Sequence, residues 1–149
     1  MPPRFPYAPT AMRIVLLPAL ALAFAAAPVP TSSDAAAVAD TAPEIIAEGT
    51  FTGTRRYDVS GRALLVRLDD GSHEVRLEGL DSDGGPDLRV WIVTDLRDKA
   101  SGRVDLGRLQ SRRGDRTYRV PAGTDVSGAR GISIWCRAFS VEFGTARLR

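Results

Sequence analysis

The run Gly131-Ile132-Ser133-Ile134-Trp135-Cys136-Arg137-Ala138-Phe139-Ser140-Val141 holds the only cysteine of a 149-residue chain, beside one of its two tryptophans. A lone thiol has no internal partner for a disulfide. Three roles are open to it: packing as a small hydrophobe, ligation of a metal or haem iron, or redox exchange at sulfur. In the alternating pattern of the run, Cys136 shares parity with Ile132 and Ile134, while Ser133, Trp135 and Arg137 take the other face. The thiol is thus expected on the apolar side, where an enclosed sulfur is inert. Residue physics by itself favours structural burial and leaves the ligand and redox readings open.

His73 is the only histidine, and it follows the turn residues Asp69-Asp70-Gly71-Ser72. One histidine and one cysteine cannot build a zinc site of ordinary ligand count. A hydrolase needs a nucleophile beside the imidazole, and nothing around Ser72, Ser133 or Ser140 resembles a nucleophile elbow. A hydrolase therefore has no support in these residues.

In Asp81-Ser82-Asp83-Gly84-Gly85-Pro86-Asp87, three carboxylates surround two glycines. Calcium takes oxygen-rich loops with a sharp glycine turn, so Asp81, Asp83 and Asp87 form a calcium-loop candidate. The segment is too short for an EF-hand and lacks its bidentate Glu, and Asp and Gly also build plain turns. Trp91 and Trp135 each take the parity opposite to the aliphatic face of their strand. Phe139, Val141 and Phe143 share one parity. Core packing is the ordinary role of such residues, and an aromatic-lined cofactor pocket is the functional one.

The elements that must position these residues are strands. Leu64, Val66 and Leu68 alternate along one run and are expected to face inward. After the Asp69–Ser72 turn, Val75, Leu77 and Leu80 form the inner face of the next strand, with Glu74, Arg76 and Glu78 outside. The two runs predict an antiparallel hairpin. Further strands are expected at Leu88–Val93, Val104–Leu109, Arg116–Val120, Ile132–Arg137 and Phe139–Phe143, with a last short pairing around Ala146 and Leu148. Gly and Pro punctuate the gaps at about 8–12-residue spacing, the pattern of an all-β sandwich or barrel.

Ahead of these strands, Met12-Arg13 is followed by an apolar run from Ile14 to Ala27 with small residues at Ala25 and Ala27. The run is short of the ~20 residues that span a membrane and reads as a signal peptide over residues 1–27, with Met12 a candidate start. Pro28 after Ala27 disfavours cleavage at that bond, so the cut is also expected as late as Ala35 to Ala39. An uncleaved N-terminal anchor is the alternative. Residues 28–44, rich in Ala, Pro, Ser, Thr and Asp, read as a flexible linker. Residues 45–149 then form one β domain of a size that sustains its own core. Of the 20 basic residues only Arg4 and Arg13 lie in the lead segment, which leaves 18 against 18 acidic ones. A balanced chain has no electrostatic footprint for nucleic acid.

In chain order, Gly49-Thr50-Phe51, Ser60-Gly61, Gly85-Pro86-Asp87-Leu88-Arg89-Val90-Trp91, Val104–Leu109, Tyr118-Arg119-Val120-Pro121, Ile134-Trp135-Cys136, then Phe139, Val141, Phe143, Ala146 and Leu148 resemble the DM-thirteen domain. This is the "electron transfer" module of Skeletor-type proteins. The likeness runs from about Glu48 to Leu148. Each motif is weak by itself, and the ordered set is specific. The resemblance implies a β-sandwich and a redox or haem-linked role for Cys136. Many members carry a histidine before the Ser-Gly pair; here Tyr57-Asp58-Val59 occupies that place. If a haem is held, the resemblance leaves Tyr57 as a substitute oxygen ligand, with Cys136 and Trp135 as the other cofactor candidates.

Together these readings describe an exported, single antiparallel β-sandwich, barrel-like in outline. Its expected function is redox or electron transfer at the cell envelope through Cys136, with an unidentified protein or small-molecule partner. The rival is a non-catalytic extracellular binding or adhesion module in which Cys136 is structural.

Overall fold

Eight strands are the regular elements of residues 42–149, the part of the chain that the computed structural model describes. They are β1 (Glu44–Gly53), β2 (Val59–Arg67), β3 (His73–Ser82), β4 (Leu88–Val93), β5 (Val104–Arg108), β6 (Arg113–Arg119), β7 (Gly131–Cys136) and β8 (Val141–Arg147). The expected signal peptide, and the expected linker up to Thr41, lie outside the described residues. Among the described residues, no helix is long and apolar enough to cross a membrane.

All pairings are antiparallel, and the strands form one sheet in the order β5-β4-β7-β8-β1-β2-β3-β6. β1 joins its two halves. Residues Glu44 to Thr50 pair with β2, and Phe51 to Gly53 pair with β8. The sheet curls into a nearly closed, barrel-like fold around one core. Its end strands, β5 and β6, are consecutive in the chain. There the Gln110 backbone N–H donates to the Tyr118 hydroxyl at 3.0 Å. Burial pushes that hydroxyl above the ordinary tyrosine range, against the opposing pull of the Gln110 hydrogen bond.

The β2–β3 hairpin forms as expected, but its register corrects the inner face of β2. Leu65 lies opposite Val75 and Ala63 opposite Leu77, and all four are in the core cluster. Leu64 is opposite Arg76 and Val66 opposite Glu74, so both take the face away from that cluster, though both are buried. Leu68 lies beyond the strand. In Leu64-Leu65-Val66 both parities are apolar, so alternation cannot choose a face; pairing with the unambiguous Val75 and Leu77 does.

Leu77 and Leu80 differ in parity, yet both are core residues. Irregularities in register between Ser60 and Arg62 and between Leu77 and Leu80 make this compatible. Gly61 at φ +114° and Gly79 at φ +55° supply the backbone there.

Three further strands differ from expectation. β1 carries a single buried residue, Phe51, which is too weak a pattern to announce ten paired residues. β6 begins three residues earlier than Arg116 and ends at Arg119. Val141–Arg147 is one strand rather than two short pieces, and Phe139 is not part of it. Phe139 sits in a turn closed by the Ser140 N–H donating to the Arg137 carbonyl, and its side chain is 57% exposed. Within β8 the pairing with β7 skips Phe143, which is fully buried in the core.

Candidate functional site

β7 and β4 deliver Cys136 to the core by plain alternation. Cys136 lies opposite Leu88 on β4 and Val141 on β8, and it joins Ile132, Ile134, Leu88 and Phe143 in one buried cluster. Its exposure is 0%, and it is the free cysteine of the described residues. It is also the last residue of β7, so the exposed turn Arg137–Ser140 begins at the next bond. The sulfur is therefore sealed but stands one residue from a solvent-facing turn.

Trp135 takes the opposite face of the same strand. It stacks on Trp91 with ring centroids 4.7 Å apart and planes at 18°. The Arg103 guanidinium covers the Trp91 ring at 4.5 Å from the centroid. The Trp91 Nε1–H is buried without a hydrogen-bond partner. Lys99, from the same loop as Arg103, forms a half-buried ion pair with Glu142 on β8 at 2.8 Å. That glutamate also accepts from the Thr145 hydroxyl. The loop between β4 and β5 thus reaches both the Trp91 ring and the outer face of β8.

Tyr57 stacks on Phe143, centroids 3.7 Å apart and planes at 8°, at the edge of the core. Of the three cofactor candidates, Trp135 is parted from Cys136 by β7, whereas Tyr57 packs against the same core cluster as the thiol. Cys136 is inside, Trp135 is on the far side of β7, and Tyr57 is spent on Phe143. A haem needs an open face beside its axial ligand. Cys136 is enclosed by aliphatic and aromatic neighbours, so the residues present do not fit a haem at that sulfur.

The acidic loop distributes its carboxylates in the same way. Asp81 pairs with Arg113 at 3.0 Å, and Asp83 accepts the Asp58 backbone N–H at 2.9 Å. Both line an open cleft of ≈ 450 Å³ with Asp58, Val59, Ser60 and Arg113. Asp87 is elsewhere, held by arginines. Among the described residues, no group of three or more His, Cys, Asp or Glu is arranged to hold a metal ion. His73 opens β3 opposite Arg67, and its carbonyl accepts the Val120 N–H.

Asp87 anchors a group that residue types alone do not reveal. Its carboxylate, 15% exposed, accepts from Arg137 Nε at 2.7 Å and Arg89 Nε at 3.1 Å, and Arg108 Nε stands 3.5 Å away. Burial would push this carboxyl upward, but the hydrogen bonds from Arg89 and Arg137, with their charge, outweigh it and hold it below the usual carboxylate range. The only signal in the sequence was the Gly-Pro-Asp-Leu motif itself, with no indication of which arginines would arrive.

A family model described as electron transfer DM13 matches residues 50–148. No curated protein matches the chain, and no solved structure does.

Proposed function

Because the chain belongs to the electron transfer DM13 family, whose name points to a redox-related role, we propose that it is an exported redox module of the cell envelope in which Cys136 is the active group. The observation that carries this reading is the position of the thiol. It is the only one in the chain, it is fully enclosed, and it is the last residue of β7, beside an exposed turn. Ends of strands open locally at far lower free energy than the whole domain unfolds. In this reading the closed state shields sulfur from adventitious oxidants, and opening of the β7–β8 turn presents it to a redox partner. Residues 1–27 supply the export signal, residues 28–44 the tether and residues 45–149 the module.

A second reading rests on the same burial. A thiol packed among Ile134, Leu88 and Phe143 behaves as a small hydrophobe, and the domain is then an extracellular binding module.

Maleimide labelling of the purified exported form in native buffer separates the two. Slow labelling whose rate is insensitive to low urea signals local opening. Electron exchange with a soluble mediator that disappears in a folded Cys136→Ala variant then assigns it to sulfur. Labelling that occurs only with global unfolding, together with no electron exchange, overturns the redox reading and leaves the binding module.

A further inference from the structure

We propose that Arg108, Arg137 and Phe139 form a docking surface for an acidic protein surface. Asp87 holds the two arginines by their Nε atoms, and Arg108 Nη2 also donates to the Pro86 carbonyl at 3.0 Å. Their side chains are nevertheless 68% and 62% exposed. Among the described residues Arg137 pairs with no carboxylate other than that of Asp87. The guanidinium is thus oriented from beneath and open above. Ordering a free arginine costs rotamer entropy at binding; here that ordering is already made.

Phe139 stands two residues away at the tip of the Arg137–Ser140 turn, one of three large hydrophobics left exposed among the described residues. The turn includes Ser140 at φ +53°, a conformation that an exposed loop keeps only when its hydrogen bonding holds it. An exposed aromatic beside arginines is the residue combination that anchors protein interfaces.

Charge selects the occupant. Asp87 and Asp105 are the carboxylates of this group; Asp87 is largely covered at 15% exposure, while Asp105, 36% exposed, stands 3.7 Å from Arg89, which leaves three guanidiniums against two acids. The most exposed groups are the Arg108 and Arg137 guanidiniums and the Phe139 ring, which suits a carboxylate-bearing protein surface with an apolar centre. The near-neutral chain lacks the broad basic field that nucleic acid or an anionic membrane needs. The surface begins at the residue after Cys136. That the docked protein is a redox partner rests on the redox reading above; the docking itself does not.

Fluorescence anisotropy tests this with a labelled decapeptide of Asp and Glu around one Leu, a Lys-for-acid counterpart, and phosphatidylglycerol vesicles. The acidic peptide should bind, and the basic one should not. Arg137→Glu and Arg108→Glu should each weaken binding about tenfold or more, and Phe139→Ser should weaken it several-fold. Arg119→Glu, the same charge change on β6, should leave it unchanged, as should Cys136→Ala. Circular dichroism and urea midpoints confirm that the compared variants are folded, and Arg137→Gln serves if Arg137→Glu is not. No binding by the wild type, equal losses in Arg119→Glu and Arg137→Glu, or preferential vesicle binding abolished by Arg137→Glu would overturn the proposal. Peptide binding that survives in Cys136→Ala without electron exchange in the wild type sinks the redox reading and leaves the docking surface intact.

Discussion

Arg137 and Asp87, fifty residues apart, are joined twice: the Arg137 Nε–H donates to the Asp87 carboxylate at 2.7 Å, and the Arg137 backbone N–H donates to the Asp87 carbonyl at 2.9 Å. The residue after the single cysteine is thereby locked to the loop that enters β4. Asp87 was a candidate cation ligand by composition. In the fold it is the counter-ion of Arg89, Arg108 and Arg137.

The lowered Asp87 carboxyl has a consequence in acid. A carboxyl whose folded value lies below its unfolded value stabilises the fold above about pH 3.9 and loses that contribution as the pH falls through the folded value. Asp70 and Asp125, held by Ser72 and Ser127, act in the same direction. Urea midpoints between pH 5 and 2.5 should fall for the wild type. Asp87→Asn should start lower at pH 5 and fall less steeply.

Cys136→Ser puts a hydroxyl among apolar side chains without a designed partner. It should cost roughly 1–3 kcal/mol in urea unfolding. A loss near zero would mean that the site is wetter than its complete burial implies.

Phe143 and Phe139 share a parity in the sequence and nothing in the fold. Phe143→Ala removes a fully buried ring stacked on Tyr57 and should cost about 3–5 kcal/mol. Phe139→Ala should change stability by no more than about 0.5 kcal/mol. Equal effects would contradict the placement of the turn.

Gly61 and Gly79 both have positive φ, but only Gly61 is crowded. A Cβ there would lie 2.8 Å from the carbonyl oxygens of Glu78 and Gly79, whereas one on Gly79 meets nothing within 4 Å. Gly79→Ala should cost about 1–2 kcal/mol from backbone conformation alone. Gly61→Ala should cost clearly more, and chemical denaturation of the two variants side by side decides it.

The Ile14–Ala27 run leads us to predict export. Intact mass of the protein recovered outside the cytoplasm of its host should lack the first ~27–39 residues. A full-length cytoplasmic product would count against an export signal.

The sequence by itself determined the all-β class, the β2–β3 hairpin and the family, because alternation, turn residues and ordered motifs are local and survive without knowledge of partners. It also put Cys136 on the apolar parity of β7, since Ile132 and Ile134 flank it on one face. It could not choose a face for Leu64-Leu65-Val66, where both parities are apolar, nor announce β1, whose ten residues bury little beyond Phe51. Those were decided by register, a property of two strands rather than one. The fate of the charged and aromatic residues was decided only in three dimensions. Asp81, Asp83 and Asp87 are neighbours in the chain, yet strand geometry sends them to Arg113, the Asp58 backbone and three arginines. Trp91 and Trp135 become a stacked pair because β4 and β7 are adjacent in the sheet, an adjacency that crosses more than forty residues of chain and leaves no trace in either strand's own pattern.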